Sequence, residues 1–577
     1  FHDGDFYKWL EGAISVYAIN KDPELNQLID QVISVMQRAQ REDGYIHTPV
    51  NIAERNRPEE AVAFAERLDF ETYNLGHLMT AACLHHRVTG KETLLNMAIK
   101  AADFLLHFYE TASADLARNA ICPSHYMGVT EIYRTTRDPR YLELAKNLID
   151  IRGLVTNGRD HNQDRIPFRQ QTTAMGHAVR ANYLYAGVAD VALETGDSTL
   201  LKPLDLIWKD LVQSKVYITG GCGALYDGVS PDGTTYDQPS IQLIHQSYGR
   251  PYQLPNLTAH NESCANIGKL LWNWRMLQLT ADTKYAHWLE QTLYNSILSA
   301  VSLDGKRYFY TNPLAVNNDL PYELRWSKDR EEYISHCNCC PPNVVRTVAQ
   351  VNNYIYSLSE NTLWCHLFSD SQLKTELPEG GRIELRQKTD YPWDGKVVFE
   401  IADAPASNYS IKLRIPDWAD DASISINNKR TKPVQAGSYA TLTRKWKKGD
   451  LVTLEMPMKT RLIQAHHLVE ETRNQVAVQR GPLVYCLESP DMPEGQRIFD
   501  FALSARSTFT PVPMQMEGSK IMALEVDALL INTEEENALY RELKSPGDWP
   551  KQKIRLIPYY AWNNRGPSEM SIWIPLR

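Results

Sequence analysis

At 577 residues, with 43% hydrophobic and 23% charged positions, the chain has a soluble globular composition and is too long for one core, so two to four domains are expected. A net charge of −9 and a pI near 6.0 argue against nucleic acid or an anionic membrane surface as the main partner. No apolar run approaches the roughly 18 residues that would suggest a membrane span.

The N-terminal part repeats one pattern. A helix-period apolar stretch ends in a short polar turn, and a second such stretch follows. The turns are Asn20-Lys21-Asp22, Thr89-Gly90-Lys91, Thr136-Arg137-Asp138, Thr195-Gly196-Asp197 and Thr280-Ala281-Asp282. Gly or Asp in each turn stops one helix and caps the next. Spacings of 47 to 85 residues are too irregular for a uniform solenoid. Five hairpins, with a sixth from Asn343 onward, suit a closed ring, and residues 1–355 are read as an (α/α)6 toroid. From about residue 356 the apolar period changes from 3.6 to 2, as in Ser410-Ile411-Lys412-Leu413-Arg414-Ile415 and Leu451-Val452-Thr453-Leu454-Glu455-Met456. Two β-sandwich domains are expected, over 356–460 and 461–577. Packing on the barrel or dimerisation is the default role for them.

Nine cysteines include three within four residues, Cys337, Cys339 and Cys340, just before Pro341-Pro342. That spacing is too tight for a disulfide framework and points to metal or thiolate chemistry. Such a cluster alone is most often a structural zinc site. Glu262-Ser263-Cys264, upstream at the start of another inner-helix segment, offers two more ligands. A Cys₃Glu set is unusual for a purely structural zinc and suggests a working site. Cys264 lies 16 residues before its turn at Thr280, His177 lies 18 before Thr195, and His77 lies 12 before Thr89. At about 1.5 Å per residue these positions fall within about 9 Å in height, which gathers them at one rim of the ring. Each histidine taken alone reads more readily as a buried, hydrogen-bonded core residue.

These residues carry a resemblance. The chain is similar nearly end to end to glycoside hydrolase family 127, the β-L-arabinofuranosidase family. The matching stretches include Asp5 leading to Lys8-Trp9-Leu10-Glu11, Gly76-His77-Leu78, Gly176-His177-Ala178-Val179-Arg180, Glu262-Ser263-Cys264, Phe309-Tyr310-x-Asn312-Pro313, Gln479-Arg480-Gly481-Pro482 and, most specifically, Cys337-x-Cys339-Cys340-Pro341-Pro342-Asn343. The resemblance implies zinc held by Glu262, Cys264, Cys339 and Cys340, with Cys339 as the nucleophile of a retaining mechanism. It implies further that Cys337, His77, His177 and Tyr310 line the sugar pocket.

The chain departs from the family at two places. The family's general acid/base is a Glu sixteen residues before the zinc-binding Glu, and that position here is Gln246, in His245-Gln246-Ser247. An amide cannot give and retake a proton. Asp237, His245 and Glu262 are the substitute acids to weigh, and His245 is also a candidate for sugar binding. A family pocket histidine before the third inner helix is replaced by Cys122 or a neighbour, with His125 displaced by three. A sugar carrying its own carboxylate would be repelled by Glu at 246 and accepted by Gln, which favours the family's other substrate, aceric acid of rhamnogalacturonan II, over a plain β-L-arabinofuranoside. Three function classes remain open: a zinc–cysteine glycosidase, a toroidal hydrolase or lyase using paired carboxylates, and a carbohydrate-binding relative with structural zinc. The partner expected in each case is an oligosaccharide. The chain opens at Phe1, so any export signal would lie upstream, and a pectic substrate suggests a periplasmic or otherwise exported protein by family analogy.

Overall fold

The computed structural model describes residues 2–229, 243–320, 326–431, 433–531, 539–540, 542 and 549–577. Its N-terminal part is helical: α1 (His2–Asn20), α2 (Pro23–Ala39), α3 (Thr48–Asn56), α4 (Glu71–Thr89), α5 (Thr93–Tyr109), α6 (Ala114–Arg118), α7 (Ser124–Thr136), α8 (Pro139–Ile151), α9 (Ala178–Thr195), α10 (Ser198–Ser214), α11 (Ser263–Thr280), α12 (Thr283–Gln291) and α13 (Cys340–Ala349). Six of these, α1, α4, α7, α9, α11 and α13, pack in that order and close on one another, α13 against α1. They form the inner ring, and α4, α9 and α11 are buried nearly all round. Gly76 on α4 and Gly128 on α7 let two backbones touch: a Cβ at Gly76 would stand 2.4 Å from the His125 nitrogen.

One local device turns four of the inner helices outward. Thr89, Thr136, Thr195 and Thr280 each bond the carbonyl four residues back, and each hydroxyl accepts the amide two residues ahead. Between them a residue in the left-handed region breaks the helix: Gly90, Arg137, Gly196 or Ala281. Asp138, Asp197 and Asp282 then cap the outer helices α8, α10 and α12 through their side chains, each worth about 1 kcal/mol. The sixth hairpin differs from the sequence reading. After α13 the chain makes only a short helical turn, Val351–Tyr354, before the strand Tyr356–Ser359. The outer position is filled instead by the continuation of α12 through residues 292–300 and by Leu367, which pack on Val344.

The middle domain is a sandwich of a six-stranded and a four-stranded sheet. Alternate residues such as Ile411, Leu413 and Ile415 face Val397, Phe399 and Ile401 across its core. Arg414 and Glu290, both almost fully buried, form a 2.5 Å ion pair that ties this domain to α12. The C-terminal domain is built on a ten-stranded antiparallel array. Ala477, Val484 and Cys486 turn toward Phe309, Leu314 and Tyr217 of the barrel, while Val476, Val478 and Tyr485 face the domain's own interior. Among the described residues no helix is long and apolar enough to cross a membrane.

Candidate functional site

The N-terminal ends of α4, α7, α9, α11 and α13 border one cavity of about 270 Å³, lined by Tyr73, Cys122, His177, Arg180, Glu262, Cys264 and Cys339 among others. Glu262 is the N-cap residue of α11 and Cys264 its second residue; Cys339 is the N-cap residue of α13 and Cys340 its first. Pro341 and Pro342 follow inside the first turn, where an amide hydrogen has no helical acceptor to lose. Two helix N-termini, each with a partial positive charge, therefore converge on the three thiols and the carboxylate.

The four ligand atoms lie within 4.8 Å of one another and could hold a metal ion. The Cys264 sulfur is 3.7 Å from that of Cys339 and 3.3 Å from that of Cys340; Cys339 and Cys340 are 3.9 Å apart, and each is 3.8 Å from Glu262 Oε1. Burial, then the thiols Cys264 and Cys337, push the Glu262 carboxyl well above its ordinary range, and burial does the same to Cys340. The bare chain thus resists collecting four negative charges here, whereas a bound cation reverses that preference. Cys264 and Cys340 are buried, while Cys339 is half-exposed to the cavity, as is Cys337.

Below the cluster sits Lys8, with no exposure at all. Its ammonium donates to the Cys339 carbonyl at 2.9 Å and pairs with Asp5 at 2.8 Å. Burial works against its charge, but Asp5, Tyr73 and the thiols of Cys264 and Cys339 outweigh it and raise its pKa well above the usual lysine value. Asn343 on α13 bonds Tyr183 and accepts from Arg346, which is paired with Glu11 at 2.8 Å. The turn that carries Cys339 is thereby held from below by α1 and from within α13.

The remaining predicted site residues divide. Tyr310 lines the cavity, its hydroxyl 3.8 Å from the Cys339 sulfur and 3.2 Å from the Gln246 amide nitrogen. His177, N-cap residue of α9, also lines it, and burial, then Arg180 and His161, hold its imidazole well below the usual histidine range. Gln246 faces the cavity from the strand Leu243–Ser247. His245 does not: neighbouring strand residues point to opposite faces, and His245 lies exposed, paired with Asp227 at 2.6 Å. His77 is also displaced from the predicted rim. It stands one turn below Tyr73, its ring 4.5 Å from that tyrosine's, and lines a second cavity with Glu11, Thr80 and Arg346. His125 is fully buried beside Tyr126, its pKa lowered to about 3 by burial. Asp237 lies outside the described residues.

Sequence reasoning missed Phe70, Tyr73, Arg180, Trp326 and His336 in the lining. Arg180 is almost fully buried, bonds the His161 ring at 3.0 Å, and has no carboxylate partner among the described residues. Trp326 lies flat on Tyr310, centroids 3.5 Å apart. Arg180 stood inside a stretch already singled out, three residues after His177, where the first helical turn brings it to the same rim. Phe70 and Trp326 arrive from loops and left no local signal.

A pocket of monosaccharide size, at the N-terminal mouth of a helical barrel and built around a thiol–carboxylate cluster, suits an enzyme that acts on carbohydrate. Residues 1–353 match the description "Beta-L-arabinofuranosidase, GH127 catalytic domain", residues 362–458 the GH127 middle domain, and residues 460–575 the glycoside hydrolase family 127 C-terminal domain. The chain belongs to glycoside hydrolase family 127 and is a glycosidase. It is 32% identical to a non-reducing end β-L-arabinofuranosidase of Bifidobacterium longum subsp. longum, over 99% of this chain and 89% of that one. A solved structure described as a glycoside hydrolase shares 57% identity and a TM-score of 0.93, covering 99% of this chain and 92% of its own. A GH127 β-L-arabinofuranosidase from Geobacillus stearothermophilus T6 shares 32% identity and a TM-score of 0.86, covering 100% and 90%.

Proposed function

We propose that the chain is a retaining exo-glycosidase with Cys339 as nucleophile, that Glu262, Cys264, Cys339 and Cys340 hold a zinc ion, and that it releases a terminal carboxylated furanose-type sugar of plant pectin, aceric acid of rhamnogalacturonan II. The observation that carries the reading is the four-atom cluster with only Cys339 among its thiols half-open to the pocket. A tetrahedral zinc ion with Zn–S near 2.3 Å sets its sulfurs about 3.8 Å apart and its sulfur and oxygen ligands about 3.6 Å apart. Five of the cluster's six edges, 3.3 to 3.9 Å, fit that figure, and the sixth, Cys264 to Glu262, is within 4.8 Å. Bound there, zinc keeps its cysteine ligands as thiolates at neutral pH.

The chain's own residues supply the rest. Lys8 fixes the Cys339 backbone, and the α13 N-terminus favours negative charge on its sulfur. The Cys339 sulfur attacks the anomeric carbon, the glycosidic C–O bond breaks, and a glycosyl–cysteine thioether forms. Water then attacks the same carbon, restores the Cys339 thiolate and leaves net retention. A pocket of about 270 Å³ takes one sugar unit, which makes the action exo.

Two features support a carboxylated sugar. Gln246 stands where the family resemblance calls for Glu, removing a negative charge from the wall. Arg180 presents a buried guanidinium on the same cavity, suited to a carboxylate. Such a substrate fits an exported, periplasmic enzyme. The second reading, a β-L-arabinofuranosidase, is favoured by the activity printed for the 32%-identical relatives. Metal content, product anomer and turnover on both sugars, for wild type, Cys339→Ala and Cys339→Ser, test the whole. Expected are a retained anomer, one zinc per wild-type chain, and at least about a thousandfold loss of turnover in the folded variants. An inverted product sinks the nucleophile. Efficient arabinofuranoside cleavage with no action on the carboxylated sugar sinks the substrate.

A further inference from the structure

With an amide at position 246, the wall opposite the nucleophile lacks the acid that a retaining glycosidase needs to protonate its leaving group. We propose that His336 takes that part and is the general acid/base of the reaction; this rests on the reading of Cys339 as nucleophile.

His336 lines the same cavity as Cys339 and is exposed at its mouth. Its ring meets Trp326 nearly edge-on, at 6.3 Å and 70°, and Trp326 is stacked on Tyr310, whose hydroxyl is 3.8 Å from the Cys339 sulfur. The imidazole therefore stands on the Trp326–Tyr310 wall of the cavity that Cys339 also lines. It also rides on the nucleophile's own turn, three residues ahead of it. That turn is pinned by the Ile334 amide bonded to Asn338 Oδ1 at 3.1 Å and by Lys8 on the Cys339 carbonyl. Donor and nucleophile are thus positioned by one piece of backbone.

Of the other described groups on this cavity, Cys337 is half-exposed, and the rest are poorly suited to carry a proton in and out; burial pushes Tyr73 and Cys122 up. His177 on α9 is held unprotonated by burial and by Arg180. Arg180 is a guanidinium, which does not give up its proton in proteins. Glu262 on α11 is committed to the ligand cluster, and burial, then Cys339, push the Tyr310 hydroxyl far above its usual range. Imidazole is the side chain most often used for general acid/base work, and His336 alone among these is exposed to water.

In the first step the Cys339 sulfur forms its bond to the anomeric carbon while the C–O bond to the leaving group breaks, and the His336 imidazolium gives its proton to the departing oxygen. In the second, neutral His336 takes a proton from water as that water's oxygen attacks the anomeric carbon and the C–S bond breaks. Thiolate and imidazolium are both regenerated.

The test compares wild type with His336→Gln on methyl and 4-nitrophenyl glycosides of one sugar, L-arabinofuranose or L-aceric acid, whichever the wild type cleaves. 4-Nitrophenolate leaves without help from an acid; methanol does not. Expected is a loss of about 10²- to 10⁴-fold in kcat/KM on the methyl glycoside with little change on the aryl one. Slow hydrolysis of the intermediate should leave a glycosyl adduct on Cys339 visible by mass spectrometry, and added azide should restore aryl turnover as the retained glycosyl azide. Equal losses on both leaving groups with no azide rescue would overturn the proposal. So would finding the leaving-group pattern and azide rescue in Asp237→Asn and not in His336→Gln. No Cys339 adduct in either enzyme, with an inverted product, would instead overturn the nucleophile. Because His336 is exposed, the variant should keep the wild-type unfolding temperature.

Discussion

Gln246→Glu is the most informative single change to the pocket wall. The Gln246 amide and the Cys339 sulfur both touch the Tyr310 hydroxyl, at 3.2 and 3.8 Å. The two contacts laid end to end put the Gln246 amide nitrogen at most about 7 Å from the Cys339 sulfur; a retaining enzyme holds its two carboxyls about 5–5.5 Å apart. A glutamate there also faces any carboxylate on the sugar. Two carboxylates about 5 Å apart repel by about 3 kcal/mol at an effective dielectric of 20, and by about 1 kcal/mol where the pocket is wet. The variant should therefore lose about 5- to 150-fold in kcat/KM on the carboxylated sugar. On a β-L-arabinofuranoside of the same leaving group it should lose nothing, and it gains if the new carboxyl serves as acid. The assay is kcat/KM on the pair of substrates at low and at 0.5 M salt, where screening should shrink the loss. If the variant cleaves the carboxylated sugar as well as or better than wild type, the argument that position 246 reads substrate charge fails.

Three further outcomes follow from the geometry. Stripping metal with a chelator at neutral pH should abolish turnover and lower the unfolding temperature, because the free energy of metal binding is then lost to the folded state; unchanged melting would show that the cluster binds nothing structural. Glu290→Ala should destabilise the chain by about 3–5 kcal/mol, leaving Arg414 buried without its partner, and Glu290→Ala/Arg414→Met should recover most of that in denaturant titrations. The third concerns pH. Burial lowers His125 and His366 to about 3, below the ordinary 6.5, so the unfolded chain binds protons that the folded one refuses. Their contribution is fully present above pH 6.5 and is lost as pH falls toward 3, by roughly 1 kcal/mol per unit for each. His366→Gln should flatten the stability–pH slope between pH 6.5 and 4; an unchanged slope would refute the assignment.

Much of the barrel was legible because its turns are local chemistry. A Thr whose hydroxyl bonds back, a left-handed residue and a capping Asp specify the reversal within a few positions, whatever lies around them. The sixth hairpin failed for the opposite reason: its outer place is taken by residues 292–300 and by Leu367, a tertiary fact no window around Asn343 contains. The clustering of these four residues was legible because Glu262 with Cys264, and Cys339 with Cys340, are near neighbours in sequence and only the pairing is long-range. Counting helical rise brought Cys264 and His177 to the rim, but His77, four residues nearer its turn than Cys264, sits about 6 Å deeper, and the cavity floor lies between. His245 and Gln246 differ by one residue and by a whole face, which a strand's register decides and composition does not.

The charge in the pocket joins these points. Three thiolates and a carboxylate amount to four negative charges, of which a bound dication would leave two. Lys8, buried against the Cys339 carbonyl, supplies one positive charge, and the N-termini of α11 and α13 about half a charge each. Asp5, paired with Lys8 at 2.8 Å, takes back part of that charge. Lys8 and the two helix ends would thus offset part of the anion on a metal-loaded cluster. Arg180 is left over. With Glu at position 246 that guanidinium would share the cavity with a second carboxylate; with Gln the carboxylate that remains there among the described residues is Glu262, a member of the cluster. On the function proposed above, Arg180 is then available to meet an anionic group on the sugar.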